Sequence, residues 1–113
     1  MAVEIANVVH ALGALVLAGG GVPSLGAQDG FTSIVRTGVG AFSVGLEEPV
    51  RPLVGPNLPD VVVLPSLGAS GFVVSAAPSA DGLSISVTIF NNGVAADIAT
   101  VLNLAVLRLP TQT

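Results

Sequence analysis

Residues 83 to 89 read Leu-Ser-Ile-Ser-Val-Thr-Ile, and this stretch decides the fold. Aliphatic and hydroxyl side chains alternate through it without an exception. Because successive side chains of a β-strand point to opposite faces, the stretch predicts a strand with an aliphatic face in the core and a hydroxyl face outside. Turn-forming residues flank it, Asp81-Gly82 before and Asn91-Asn92-Gly93 after, which favours tight connections to neighbouring strands.

Short apolar segments separated by glycine and proline recur along the rest of the chain. The connector 47–59 contains four prolines, which exclude an inner strand because proline fixes φ and lacks an N–H donor. Residues 95–99 suggest one helical turn. The pattern predicts an all-β fold, an antiparallel β-sandwich or jelly-roll-like domain over residues 13–113, preceded by an extended N-terminal arm of residues 1–12. Further strands are predicted at 11–18, 31–36, 41–46, 60–64, 71–75 and 101–109.

Charged residues are scarce in this chain. They make up 9% of its 113 residues, three arginines against seven acidic residues, whereas 51% of the residues are hydrophobic. Soluble domains carry about 25% charged residues. So few charges cannot cover the surface of a domain this size, and large exposed apolar patches mark contacts with other molecules. The composition therefore predicts a subunit of an assembly.

The same composition excludes several functions. Nucleic-acid binding needs clustered Lys or Arg and aromatic rings for stacking, but the net charge is −4 and Lys, Trp and Tyr are absent. The absence of cysteine excludes a disulfide framework, a zinc-thiolate site and a thiol nucleophile.

The apolar stretch 8–22 allows three interpretations: a membrane-spanning helix, a secretory signal, or a segment that enters a sheet or contacts a neighbouring subunit. A spanning helix needs about 20 predominantly apolar residues. Here His10 interrupts the start, while Gly19 to Gly21 and Pro23 break the end. A secretory signal requires a positive n-region, and Glu4 is the only early charge. These observations favour the third interpretation.

No pattern of catalytic or metal-binding residues stands out. His10 is the only histidine, and the chain has no G-x-S-x-G motif that could supply its serine partner. Adjacent carboxylates in an extended segment point in opposite directions, so Glu47 and Glu48 are expected in a solvated loop or in a salt bridge to Arg51. The spacing of Asp60, Asp81 and Asp97 does not match a calcium-binding loop. Taken together, these observations predict no catalytic residue, no metal and no cofactor.

Residues 31–46 resemble a hairpin of bacteriophage virion β-domains, which include tail-fibre modules and small capsid-decoration proteins. Their pattern has an aliphatic–Arg strand, a Thr-Gly-x-Gly turn and an aromatic–x–Val–x–Leu strand. Val35-Arg36, residues 37–40 and residues 42–46 match it in order. The chain departs from the pattern at Phe42, where tyrosine is common, and in its proline-rich connector. Segments similar to the closing strands of such modules are 85–92 and 101–109.

The resemblance implies a trimeric, non-enzymatic β-sandwich of a virion. We therefore expect a capsid decoration (cement) protein on the capsid exterior, which trimerises and bridges subunits of the major capsid protein or another virion protein. The alternatives are a tail-fibre or receptor-binding β-module and, less favoured, a membrane-associated β-protein. Two sets of residues are candidates for subunit contacts, with ordinary core as the alternative for both: Val8, Leu12, Leu15 and Leu17 in the N-terminal segment, and Leu102, Leu104 and Val106 at the oligomer axis.

Overall fold

The computed structural model describes residues 9–50 and 61–108. In these two ranges the chain forms nine β-strands and no helix. The strands are β1 Val9–Ala18, β2 Ser24–Asp29, β3 Phe31–Gly38, β4 Ala41–Leu46, β5 Val61–Leu67, β6 Val73–Pro78, β7 Ser84–Asn91, β8 Val94–Ala95 and β9 Ala99–Arg108.

The strands form two antiparallel sheets that pack face to face, which confirms the predicted β-sandwich. Sheet A has the order β2-β1-β9-β5, and sheet B has the order β3-β4-β7-β6, with the short β8 also paired to β7. The chain passes from sheet A to sheet B at Gly30, whose φ of 99° suits glycine alone. The jelly-roll strand path stays a prediction.

The core lies between the sheets and follows the predicted alternation from Ser84 onward, whereas Leu83 precedes β7 and is 53% exposed. On β7, Ile85, Val87 and Ile89 are buried, whereas Ser84, Ser86 and Thr88 lie on the outer face. Burying one such aliphatic side chain contributes about 1.5–3 kcal/mol. Sheet A supplies the opposing layer from β1 and β9, where the buried side chains are Ala11, Leu15, Leu17, Leu102, Leu104 and Val106.

Two sequence-based boundaries require correction. Val9–Leu12 were assigned to an arm, but they begin β1, which is hydrogen-bonded to β2 on one side and to β9 on the other. Residues 1–8 of the predicted arm lie outside the described residues. Residues 95–99 form no helical turn, because Ala95 pairs with Phe90 in β8 and Ala99 begins β9. Strand β2 was not predicted.

The β3–β4 hairpin is fixed to the segment that leads into β9. Asp97 accepts hydrogen bonds from Arg36 Nε at 3.0 Å and Nη2 at 2.6 Å, and from the Gly40 N–H at 2.9 Å. The Arg36 hydrogen bonds, helped by that of Gly40, hold the pKa of the Asp97 carboxyl below its usual range. This ion pair joins the two sheets across the end of the sandwich.

Candidate interaction surface

The outer face of sheet A is apolar, which is unusual for a sheet face that no other part of the described chain covers. Leu12 and Leu64 are each about half exposed, at 51% and 52%. We call this surface the apolar face, and its exposed large side chains are Val9, Leu12 and Val16 of β1, Val101 of β9, and Val62 and Leu64 of β5.

Strand register brings these side chains together in rows. Leu12 of β1 lies opposite Ala105 of β9, which in turn lies opposite Leu64 of β5. In a second row, Val16 lies opposite Val101. Strands are spaced by about 4.8 Å and rise about 3.4 Å per residue, so four strands of this length give a flat area of about 500 Å². The largest apolar patches on monomers are of this order and are often functional.

The sequence produces this surface because β1 and β9 carry apolar residues at both alternating positions. A strand that faces water on one side normally alternates apolar and polar residues. On β9, Leu102 points into the core while its neighbour Val101 points outward, and the only polar outward side chain between Ala99 and Leu107 is Asn103. Both faces of β9 are therefore suited to burial away from water.

A groove opens beside Leu12, between β1 and β2. Its volume is about 630 Å³, and its lining is mixed, with Leu12, Ala14 and Ala27 beside the polar residues His10, Gln28, Asp29 and Asn103. Glycines allow β1 and β2 to approach each other closely at this groove. A Cβ on Gly13 would lie 2.1 Å from Gln28 Cβ, and one on Gly26 would lie 2.9 Å from Ala14 O. The pairing of β1 with β2 also shifts register between Gly13 and Leu15. We call this feature the β1–β2 groove.

Charged groups gather at one end of sheet A, where Asp29 of β2 is also the direct cross-strand neighbour of Leu12 at the border of the apolar face. Arg108 Nη2 donates to Glu48 Oε2 at 3.2 Å, and Arg108 Nε donates to His10 Nδ1 at 3.1 Å. His10 Nε2 lies 2.7 Å from Glu48 O, so the tautomer with its proton on Nε2 satisfies both histidine contacts. The cluster is exposed, and a salt bridge of this kind contributes about 0–1 kcal/mol. It closes the end of β9 against the start of the connector.

The outer face of sheet B is different in character. It carries hydroxyl side chains from β4, β6 and β7, with Ser43 opposite Ser86 and Thr88 opposite Ser75. We call it the hydroxyl face. Water can hydrogen-bond these groups, so this side of the sandwich suits exposure to solvent. The outer face of sheet B is therefore polar at its centre, although Val35 (54% exposed) and Val73 (66% exposed) lie on the same face in its edge strands.

The sheet edges are interrupted, which disfavours pairing with strands of other molecules. Pro65 lies in the edge strand β5, and Pro78 ends the edge strand β6. Irregular register marks the pairing of both remaining edge strands, β2 with β1 and β3 with β4. A contact with another chain is therefore favoured through a face of the sandwich rather than through an edge.

Most of the predicted contact residues turn out to be core. Leu15, Leu17, Leu102, Leu104 and Val106 are at most 2% exposed and pack between the sheets, so they cannot contact another subunit while the sandwich is folded. Leu12 is exposed on the apolar face, whereas Val8 lies outside the described residues. Sequence reasoning missed the outward residues Val16, Val62, Leu64 and Val101.

The polar residues considered for chemistry are spread over separate places. Asp97 is paired with Arg36, and Asp81 lies in the β6–β7 turn, where Ser79 and the Leu83 N–H hydrogen-bond its carboxylate and lower its pKa. Glu48 contacts Arg108, while Arg51 and Asp60 lie outside the described residues. Within residues 9–50 and 61–108, no three His, Asp or Glu side chains converge on a point that could hold a metal.

Residues 9–50 and 61–108 contain no helix long and apolar enough to cross a membrane. Comparison of the chain with protein-family models, with curated proteins and with solved structures finds no match.

Proposed function

We propose that this chain is a non-enzymatic structural subunit of a bacteriophage virion, a capsid decoration protein on the outside of the shell. In this proposal it forms a homotrimer and bridges neighbouring subunits of the major capsid protein. The observation that carries the proposal is the apolar face, a surface of about 500 Å² whose central side chains bear no charge. The residues that resemble phage virion domains, 31–46, fold as the β3–β4 hairpin, which supports the same proposal.

The energetics suit a subunit that works in large numbers. Even if all of its about 500 Å² were apolar, burying this face would contribute at most about 12 kcal/mol before the costs of association. Those costs are about 4–15 kcal/mol, so a single contact is only marginally stable. Linking several such contacts in a closed trimer and on a repeating shell raises the effective concentration of each one. Because a decoration subunit binds the assembled shell and not its separate subunits, its binding stabilises the shell by mass action.

The hydroxyl face supports the orientation that this function requires. A decoration subunit needs one surface that is covered by protein and another that stays in water. The apolar face meets the first requirement and the hydroxyl face, with Ser43, Ser75, Ser86 and Thr88, meets the second.

Light scattering on the purified chain tests the assembly. We expect a mass three times that of the 11.1 kDa subunit, without detergent. The double variant Leu12→Asp/Leu64→Asp should be monomeric, because it places two carboxylates on the apolar face. The matched control Ser43→Asp/Ser75→Asp adds the same charge to two strands of the hydroxyl face that are also separated by one strand, and it should remain trimeric.

Two results would contradict the proposal: a wild-type chain that is monomeric at every concentration, or an aspartate variant of the apolar face that keeps the mass of the trimer. A chain that stays in solution only with detergent would favour the membrane-associated alternative.

The number of copies in a purified particle tests the location. A decoration protein is present in many copies, in proportion to the major capsid protein. A few copies per particle would instead assign the chain to the tail, as a fibre or receptor-binding module. Quantitative mass spectrometry against the major capsid protein measures this ratio directly.

A further inference from the structure

We propose that Asn92 is a site of spontaneous chemical modification, where the side-chain amide is lost and the residue becomes aspartate or isoaspartate. The site is the turn between β7 and β8, and the reactants are the chain itself and water. This inference is independent of the proposed function.

The reaction uses the backbone nitrogen of the residue that follows the asparagine. The Gly93 nitrogen loses its proton to hydroxide and forms a bond to Asn92 Cγ. The bond from Cγ to the side-chain nitrogen breaks, and that nitrogen takes a proton from water and leaves as ammonia. One water molecule then opens the resulting five-membered imide at either carbonyl carbon, which gives aspartate or isoaspartate. Glycine favours ring closure because it has no Cβ to obstruct the attack.

Three residues of the chain have a suitable side chain and precede a glycine: Asp29, Asp81 and Asn92. Asn92 is the only one of the five asparagines in this position. An aspartate must be protonated before water can leave from its Cγ, so it reacts more slowly at neutral pH than an asparagine. The structure separates the three sites further.

The Asp81 site is held by hydrogen bonds. The Asp81 carboxylate accepts from Ser79 Oγ at 2.6 Å and from the Leu83 N–H at 3.0 Å. The Gly82 N–H, which would have to attack, donates to Ser79 O at 3.1 Å. Both reacting groups of this site are therefore engaged.

The Asp29 site is held by packing. A Cβ on Gly30 would lie 2.8 Å from Ala11 Cβ, and the Gly30 carbonyl accepts a hydrogen bond from the Glu47 N–H at 2.9 Å. The backbone on the glycine side of Asp29 therefore has little freedom to rotate into the geometry that ring closure needs.

The Asn92 site has neither restraint. Asn91 pairs with Val94, so Asn92 and Gly93 are the central residues of a two-residue hairpin turn, with φ values of 53° and 81° as a type I′ turn requires. Residues 91–94 are all exposed, and apart from the chain neighbours no atom lies within 4 Å of a Cβ built on Gly93. Outside the strand ladders of residues 9–50 and 61–108, no backbone hydrogen bond uses the Gly93 N–H. Hydroxide and water therefore reach both reacting groups.

The turn also opens at low cost. Ring closure requires rotation about the Asn92 Cα–C bond, so the pair of Asn91 and Val94 must separate first. β8 has only two residues, and Val94 is 68% exposed, so this separation uncovers little apolar surface. Segments with few buried contacts open with low free energies. The pairing of β7 with β8 thus slows the reaction without preventing it.

Either product changes this end of sheet B. Both add one negative charge to a chain whose net charge is already −4. Isoaspartate also lengthens the backbone of the turn by one carbon, which a two-residue turn cannot accommodate. We therefore expect isoaspartate at this position to disrupt the pairing of β8 with β7.

Incubation of the purified chain at mildly alkaline pH tests the inference. Digestion with a protease of broad specificity, followed by mass spectrometry, detects the exchange of NH2 for OH at each asparagine. Methyl transfer by an isoaspartate-specific methyltransferase detects the second product. We expect both signals to grow with time at Asn92, with Asn91 and Asn103 unchanged and with slower isomerisation at Asp29 and Asp81.

The variant Asn92→Gly is the matched control, because Gly-Gly also suits a type I′ turn, and it should lose the modification of this peptide completely. The same incubation in urea gives the rate for the unfolded chain. The inference is overturned if Asn92 stays intact in the folded chain while it is modified in urea. Modification of Asn103, or isomerisation of Asp81, at the rate of Asn92 would also overturn it, because the turn would then select nothing.

Discussion

At the scale of single residues, Gly40 shows how little space the sandwich leaves at its end. Its φ is +65°, and a Cβ there would lie 2.7 Å from Ala96 N, Ala96 O and Ile89 O. The Gly40 N–H also donates to Asp97, the carboxylate that binds Arg36. A side chain at this position would therefore separate the β3–β4 hairpin from the segment that enters β9.

Gly40→Ala should lower the free energy of unfolding by at least about 3 kcal/mol, as substitutions that overpack a site and break a polar network can do. Gly19→Ala is the matched control, because Gly19 has nearly the same φ, +64°, but open space around its Cβ position. It should cost about 1–2 kcal/mol from backbone strain alone. Urea unfolding of both variants measures the difference, and equal losses would show that the close contacts at Gly40 are unimportant.

At the scale of elements, β1 carries similar leucines on its two faces. Leu15 is fully buried opposite Leu102, whereas Leu12 lies half exposed on the apolar face. The same substitution on one strand can therefore separate folding from assembly.

Leu15→Ala should lower the free energy of unfolding by about 2–5 kcal/mol, because it leaves a cavity between the sheets. Leu12→Ala should change it by less than about 0.5 kcal/mol, measured on dissociated subunits, while it should weaken the proposed trimer. Denaturant unfolding in dilute solution and light scattering at higher concentration measure the two effects. A large loss of subunit stability in Leu12→Ala would indicate that this side chain belongs to the core.

The same elements explain how far the sequence predicts the structure. β7 was predictable because residues 84–88 alternate hydroxyl and aliphatic side chains, which determines both the strand and the face that is buried. β9 was predictable as a strand, but which of its faces is buried was not. Val101 and Leu102 are equally apolar, so the pattern does not show which of the two alternating sets points into the core. The predicted contacts at Leu102, Leu104 and Val106 therefore correctly lie on one face of the strand, but that face is the core.

Two further features could not be predicted because they depend on pairing between distant segments. β2 has the sequence Ser-Leu-Gly-Ala-Gln-Asp, which lacks β-branched residues, and it becomes a strand because β1 offers it an edge. The apolar face requires the register that places Leu12, Ala105 and Leu64 in one row. The composition of a single sequence indicates an excess of apolar surface, but it does not indicate where on the folded molecule that surface lies.

At the scale of the whole molecule, the location of charge predicts how assembly responds to conditions. The charged cluster of His10, Glu48 and Arg108 lies at one end of sheet A, and the pair of Arg36 and Asp97 joins the sheets. Neither lies among the outward side chains of the apolar face, where Asp29, opposite Leu12 at the border, is the charged neighbour. Association through that face should therefore depend on hydrophobic burial rather than on ion pairs.

Raising NaCl from about 0.1 M to 1 M shortens the screening length from about 10 Å to 3 Å, and it should leave the proposed trimer intact. Cooling should weaken the trimer, because hydrophobic association loses strength at low temperature. Sedimentation across both series measures the dissociation constant. Dissociation by salt, or tightening in the cold, would indicate an ionic interface.

The interrupted edges of the sandwich should limit aggregation when the protein is concentrated. Crowded β-proteins are at risk of adding strand to strand without limit and ending as fibrils. Pro65, Pro78 and the irregular pairing of β2 and β3 obstruct that growth on every side of both sheets. In the proposed assembly, where many copies lie close together, these edges should therefore keep an apolar protein from forming fibrils.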